Sequence, residues 1–283
     1  MILIDYSQVA LATILTFQRE LKGTESEIKN LIRHVTLSTI KSYKKKYGKE
    51  YGNVVICCDG RKYWRREVFE HYKANRKKNQ EASELDWKQI FECLNKIRQE
   101  LKDYFPYKVI DIESAEADDI IATLCDSVEP SEKVLILSGD KDFIQLHTRP
   151  WVKQYDPTRK KWISHNNPER FLDEHVLKGD SGDGVPNVLS NDNCFVVGER
   201  QKPLTQKKID SLIELGLDGK FDHPNFNNYW RNKTLIDLRY VPVEIKNKVL
   251  ESYSKQENKS RDKLMNYFIA NKLKNLMEHI GEF

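Results

Sequence analysis

Four short segments of the chain are apolar through most of their length rather than at alternate positions: 2–5 (ILID), 53–59 (NVVICCD), 107–112 (YKVIDI) and 133–140 (KVLILSGD). Unbroken apolar runs of this size suit strands buried on both faces, as in a parallel sheet covered by helices. The stretches between them change period. Within 25–47, Ile28, Leu31, Ile32, Val35 and Ile40 recur at helical spacing, and Gly48 is expected to stop the helix. Within 85–105, Trp87, Ile90, Phe91, Leu94, Ile97, Leu101 and Tyr104 form one stripe, ended by Pro106; 116–127 follow with Ile120, Ile121 and Leu124. Strand–helix alternation predicts an α/β fold, a mainly parallel twisted sheet with helices on both faces.

After about residue 150 the pattern changes. WVKQYDPTRKKWIS reads as a hairpin turning at Asp156-Pro157, and NNPERFLDEHVLKGD as a helix capped by Asn167 with Pro168 in its first position. Residues 205–215 and 262–279 are amphipathic helical patterns. No further strand is expected, so an α/β domain over 1–166 should be followed by a smaller, mainly helical domain over 167–283.

Composition narrows the class. Charged residues make up 32% of the 283, mean hydropathy is −0.69, and 39% apolar residues remain to fill a core. No apolar run is long enough to span a bilayer, so no membrane partner is expected. The opening MILIDYSQVALATIL lacks a basic leader and carries Asp5 inside its apolar run, so it reads as strand then helix, not as a signal peptide. The five cysteines include no CxxC pair, which suggests reduced, buried thiols in a cytoplasmic protein and no zinc site. The net charge of +4 conceals a block: residues 41–78 hold thirteen Lys or Arg against Glu50, Asp59, Glu67 and Glu70. Such a block suggests a phosphate-bearing partner, although a merely solvated face is the plainer alternative.

The acids carry the chemistry. The first predicted strand ends in Asp5, the second in Asp59 and the fourth in Asp140; the third runs into ESAEADDIIATL, with Glu116, Asp118 and Asp119. Ligands of open α/β sheets bind at the carboxyl ends of the strands. Asp142 follows Asp140 by two, and GDSGDG (179–184) adds Asp180 and Asp183 at helical i, i+3 spacing. Two unit charges 4 Å apart cost about 4 kcal/mol at an effective dielectric near 20, so such a cluster needs cations. Oxygen ligands without His or Cys select Mg²⁺ or Mn²⁺ over zinc, and a pair of such ions suits phosphodiester cleavage. Singly, each acid is better explained as a cap or turn residue; their joint placement at strand ends favours a metal site. GDSGDG also shares letters with a serine-protease nucleophile motif, but no matching His motif accompanies Ser181. DKDFIQ begins like a calcium loop, but Ile144 and Gln145 stand where a ligand and the turn glycine belong.

Taken in order, LIDYSQVAL (3–11), CCDGRKYWRREVFEHYKANRKK (57–78), ESAEADDIIATL, LSGDKDFIQL (137–146), LKGDSGDGVPNV (177–188), GERQKP (198–203) and the terminal GEF span the chain. Together they resemble the 5′-nuclease superfamily of flap endonucleases and bacterial polymerase 5′-nuclease domains, and within it the phage ribonuclease H branch. The resemblance implies a PIN-like 5′-nuclease fold with a helical arch around 60–85. It implies an enzyme using two Mg²⁺ ions, Mn²⁺ being a possible substitute, with 5′→3′ exonuclease, flap endonuclease and RNA-primer-removing activity. Its metal acids match Asp5, Asp59, Glu116, Asp118, Asp119, Asp140, Asp142, Asp180 and Asp183. Arg65, Lys73 and Arg76 match the basic arch, with Arg65, Lys73, Asp140 and Asp142 expected at the reacting phosphate.

In that light Tyr63, Trp64 and Tyr72, interleaved with Arg65, Arg66, Lys73 and Arg76, read as a nucleic-acid-binding surface, or alternatively as packing within the arch. Lys41 and Lys44–Lys46 read as a solvated helix end. Expected partners are RNA–DNA hybrid, duplex DNA with a 5′ end and 5′-flap or fork DNA, besides a single-strand DNA-binding protein and a sliding clamp; a monomer is expected. Where relatives place a compact Gly-x-Gly turn that holds duplex backbone, this chain has LSNDNCFVVGER. The tail HIGEF either docks back on the core or meets a partner. Two other readings are a PIN-like endoribonuclease, disfavoured by the basic arch and long helical C-terminal part, and a non-catalytic adaptor for branched DNA, disfavoured by the acids.

Overall fold

The computed structural model describes residues 1–17, 21, 23–83, 85–214, 226–256 and 259–283. Its six strands are β1 (Ile2–Asp5), β2 (Val54–Cys58), β3 (Lys108–Asp111), β4 (Val134–Leu137), β5 (Val152–Asp156) and β6 (Lys161–Ile163). They form one sheet in the order β3-β2-β1-β4-β5-β6. Every neighbouring pair is parallel except β5 and β6, the hairpin, which extends the expected four-stranded sheet to six. The central β1 is buried at all four positions, as its unbroken apolar run requires.

The helices are α1 (Tyr6–Thr16), α2 (Glu25–Tyr51), α3 (Arg65–Val68), α4 (Ala74–Glu81), α5 (Trp87–Tyr104), α6 (Ala117–Ser127), α7 (Pro168–Lys178), α8 (Cys194–Val197), α9 (Gln206–Glu214), α10 (Phe226–Ile236), α11 (Val243–Ser254), α12 (Leu264–Ala270) and α13 (Lys274–Met277). On one face of the sheet, Ile2, Ile4 and Cys58 pack with α1, α2, α5, α12 and α13. On the other, Leu3, Val55 and Cys57 pack with α6 and α11. Adjacent Cys57 and Cys58 thus face opposite layers, and all five cysteines are free and buried. A third apolar cluster joins Phe69 and Tyr72 of the arch segment to α7, α9 and α10. Residues after 238 contribute to both sheet-covering layers, so the helical C-terminal part is wrapped onto the α/β part rather than standing apart.

Three expectations need correction. Gly48 does not end α2; the helix continues to Tyr51 and stops at Gly52, whose φ of +82° suits glycine. Rings at Tyr47 and Tyr51 lie in the core and stack edge to face, which outweighs one helical glycine. The single helix expected over 262–279 is two short ones, broken where Lys272 takes a φ of +55°. Helices α10 and α11 have no counterpart in the expected elements.

Two long-range contacts close the fold. β3 is an edge strand, yet its Val109 N–H donates to Gln256 Oε1 at 2.9 Å and its carbonyl accepts from Gln256 Nε2 at 2.9 Å. The Phe283 ring is fully buried against Phe105 and Phe268, with centroids 5.6 and 5.3 Å away, and Arg261 Nε donates to its carbonyl at 2.7 Å. The tail therefore docks on the core. Phe283→Ala should cost about 3–5 kcal/mol of stability, the range for truncating a buried Phe, measurable by urea unfolding. A loss under about 1 kcal/mol would show that the tail contributes little to the packing.

Candidate active site

β1 pairs with β2 on one side and β4 on the other, so the direction of strand succession reverses at β1. This is the place where open α/β sheets leave a crevice at their carboxyl ends. Asp5 ends β1 and caps α1, its Oδ1 accepting from Gln8 N at 3.2 Å. Its Oδ2 accepts from the Ser138 hydroxyl at 2.9 Å, and Ser138 Oγ in turn accepts from Asp140 N at 3.1 Å. Asp140 caps the 3-10 helix Lys141–Thr148 through Asp142 N. Asp59, just beyond β2, accepts from Ala117 N at 3.0 Å, the first residue of α6.

These carboxylates burden one another. Burial, then the charge of Asp59, push Asp5 up to about 7 against the hydrogen bonds it receives. Burial and Asp142 push Asp140 up to about 6. Asp118, in the first turn of α6, is raised well above the ordinary carboxylate range by burial, then by Asp140 and Asp5. An all-carboxylate set held in mutual repulsion fits a hard divalent cation.

A second group lies beside it. Asp142 Oδ1 is 2.8 Å from His175 Nε2, and Asp180 Oδ2 is 3.7 Å from the same nitrogen. Asp180 and Asp183 do not lie on a helix as their spacing suggested. They flank a tight turn in which Asp180 Oδ1 accepts from the N–H groups of Gly182 and Asp183. Asp183 pairs with the arch segment, through Lys73, Arg76 and the Tyr72 hydroxyl. Burial alone would raise its carboxyl, but Lys73 and Arg76 more than offset this and hold it below the ordinary range.

Other expected site residues are neutralised inside the protein. Asp119 is fully buried: it pairs with Arg65 Nη2 at 2.8 Å and accepts from Trp64 Nε1 at 3.0 Å and from Glu116 N at 2.9 Å. Its carboxylate is thus taken up by protein donors in this structure. Glu116, equally buried, takes Arg65 Nη1 at 2.7 Å, the Tyr72 hydroxyl at 2.9 Å and the Lys73 ammonium. Arg65 is 2% exposed and also donates to the Leu235 carbonyl, so its guanidinium is engaged by protein acceptors. Trp64 and Tyr72 are buried as well, which settles them as packing residues rather than base-stacking ones. Lys73, with a φ of +57°, is 6% exposed and held between Glu116 and Asp183.

What remains open is a cleft of about 830 Å³ between the arch segment and α5, lined among others by Asp59, Arg61, Tyr63, Arg66, Lys73 and Arg76. Arg66 and Arg76 are solvent-exposed and Tyr63 half-buried. Trp87 and Phe91, at one end of the expected apolar stripe, line the cleft as a ring pair 5.7 Å apart. Ser138, Gln154 and His175 escaped the sequence reading. Gln154 is fully buried and its Nε2 donates to the carbonyls of Ser138 and Asp140 at 2.9 and 2.6 Å, shaping the loop that presents Asp140. No sequence signal set it apart, because its strand VKQYD is mostly polar.

A family model described as the 5′-3′ exonuclease N-terminal, resolvase-like domain matches residues 1–176, and one described as the C-terminal part of T4 RNase H matches residues 167–283. The chain is 36% identical to the ribonuclease H of Enterobacteria phage T4 over 99% of its own length and 95% of that protein's. This chain belongs to the 5′-3′ exonuclease family. The 5′-3′ exonuclease of Buchnera aphidicola from Acyrthosiphon pisum is 31% identical over 54% of this chain and 53% of its own. The fold is also that of phage T5 nuclease structures: one of divalent zinc ions bound to T5 5′-exonuclease has TM-score 0.60 at 19% identity, covering 91% of this chain and 99% of that one. A T5 flap endonuclease complex with DNA and metal ions has TM-score 0.61 at 20% identity with the same coverage.

The two classes of acid respond differently to substitution. With cations chelated, Asp119→Ala leaves the buried Arg65 with Glu116 alone and the Trp64 Nε1–H without its acceptor, and should cost about 1–3 kcal/mol in denaturant unfolding. Asp118→Asn relieves repulsion and should leave stability equal or higher; the reverse ranking would contradict the division drawn here. A pH dependence follows too. Folded Asp5 and Asp140 titrate near about 7 and about 6, above the unfolded carboxylate value, so over that interval the folded state retains protons the unfolded chain has lost. Their protonated forms therefore favour folding at low pH, and that stability is lost as pH rises from about 4 to about 7. The chelated protein should melt lower at about pH 8 than at about pH 5, with the gap closing on adding Mn²⁺.

Proposed function

We propose that this 5′-3′ exonuclease family member is a Mg²⁺-dependent 5′ nuclease that hydrolyses phosphodiesters at the 5′ end of RNA–DNA hybrid, nicked duplex and flap or fork DNA, removing RNA primers and adjoining DNA. The observation carrying this reading is the set of mutually repelling carboxylates Asp5, Asp118 and Asp140, together with Asp59, which raises Asp5 and itself lines a cleft edged by exposed arginines. The phage ribonuclease H likeness over nearly the whole chain supports the substrate class. A pure binding module gains nothing from carboxylates that repel phosphates, which argues against the adaptor reading.

Asp5, Asp59, Asp118 and Asp140 would hold one divalent ion and Asp142 with Asp180 a second. Bound there, such ions supply Lewis-acid neutralisation of the phosphate and a water of lowered pKa. The chain's own groups do the rest. Arg61, Arg66 and Arg76 border the cleft and would bind the phosphates of the entering strand. Tyr63, Trp87 and Phe91 offer ring faces for unpaired bases, in place of the buried Trp64 and Tyr72. Lys73 is the protein cation whose charge opposes the raised pKa of Asp118, which supports a role for it in offsetting negative charge during the reaction. A contact with a single-strand DNA-binding protein or a clamp would use exposed C-terminal helices, because the Phe283 ring is buried.

The test is cleavage of a 5′ flap, an RNA–DNA hybrid and a plain single strand, with Mg²⁺ and with chelator. Cleavage of the first two only with the ion, and its loss in Asp118→Asn and Asp140→Asn, is expected; full activity in either variant would refute the assignment. Lys73→Ala should slow single-turnover cleavage by about 10²–10³-fold with a smaller change in substrate affinity. An effect on affinity alone would remove Lys73 from the chemistry.

A further inference from the structure

The second acid group contains a residue of a different kind. His175 is 5% exposed, and its Nε2 approaches both Asp142 and Asp180. Among the described residues, Asp142, His175 and Asp180 are the group whose ligand atoms all lie within 4.8 Å of one another. The geometry is held firmly. Asn167 caps α7, and buried Asn232 donates from Nδ2 to the Val176 carbonyl at 2.8 Å, pinning the turn that carries His175. Gly179, with a φ of +65°, then turns the chain so that Asp180 comes back toward the imidazole; a side chain there would strike the Val185 and Pro186 carbonyls. Asp180 Oδ1 is occupied by its turn, which leaves Oδ2 directed at His175 and at Lys141, whose ammonium is 3.0 Å away.

Adjacent ligands about 2.1 Å from one octahedral ion lie about 3.0 Å apart, and the two nitrogen–oxygen distances of 2.8 and 3.7 Å bracket that spacing. We propose that His175 is a nitrogen ligand of the second cation, which makes this position a mixed imidazole–carboxylate site that favours Mn²⁺ over Mg²⁺. The first position, with oxygen ligands alone, lacks that preference. The chemistry follows from ligand type: imidazole is a poor partner for Mg²⁺ and a good one for first-row transition ions. The proposal rests on the divalent-ion reading above, and the experiment separates the two.

The full chain is loaded with two equivalents of Mn²⁺ and examined by pulsed electron paramagnetic resonance. Modulation from a directly bound ¹⁴N nucleus is expected in the unaltered protein. His175→Gln, which keeps a hydrogen-bond donor toward Asp142 but offers no imidazole nitrogen, should lose it. Its affinity for the second Mn²⁺ should fall about 10–100-fold, while its affinity for Mg²⁺ falls by a smaller factor. Two bound Mn²⁺ ions without nitrogen modulation would overturn the proposal, leave the divalent-ion reading standing and reduce His175 to a hydrogen-bond partner of Asp142. Failure of the unaltered protein to bind Mn²⁺ at all would overturn both. The spectrum of the unaltered protein decides the question even if the variant folds poorly.

Discussion

A buried carboxylate needs a counter-charge, and this molecule meets that need for only part of its acid cluster. Arg65 and Lys73 are themselves buried and neutralise Glu116, with Arg65 serving Asp119 and Lys73 reaching Asp183. Asp5, Asp118 and Asp140 have no such partner and push one another toward protonation. A buried ion pair contributes little net stability, but breaking one is costly, so these pairs act chiefly as positional constraints. Arg65 ties the start of the arch segment to α6 and to the Leu235 carbonyl of α10 in one guanidinium. The charge the protein leaves uncompensated is thus concentrated in the carboxylates at and near the strand ends.

This division explains what could and could not be read in the residues alone. Strand positions were legible because burial on both faces demands unbroken apolar runs, and the acids at their ends followed from parallel topology. The separate fates of Asp118 and Asp119 were not legible. Successive helical residues point about 100° apart, so Asp119 turns into Arg65 and Trp64 while Asp118 turns toward the strand ends. Only the partner's position, set by a segment more than fifty residues earlier, tells them apart. Trp64 and Tyr72 looked like a stacking surface because aromatics among cations serve binding and packing equally; their buried hydrogen bonds to Asp119, Glu116 and Asp183 select packing. His175 sat unnoticed on the buried face of an ordinary amphipathic helix. Its distinguishing feature is a spatial one, the return of the chain at Gly179.

The same interplay shows in the C-terminal part. Leu264, Tyr267 and Phe268 do pack as an apolar stripe, but the helix they suggest breaks at Lys272 so that Leu276 and Phe283 can reach the same layer. Arg33, Glu100 and Tyr267 add a buried polar link there, with Arg33 Nε 2.9 Å and the Tyr267 hydroxyl 2.7 Å from Glu100 Oε2. Long-range burial overrides local propensity in both places.

The amide of Gln256 has a consequence for the protein in crowded surroundings. By offering one acceptor and one donor to Val109, it imitates a short piece of neighbouring strand at the outer side of β3. A bare strand margin is a template on which another polypeptide can add itself, the first step toward ordered aggregates. Here that template is already occupied by the protein's own side chain, and Lys108, donating to the Tyr253 carbonyl at 2.8 Å, holds the covering helix in place. A chain that must meet strands of nucleic acid thereby denies the same opportunity to strands of protein.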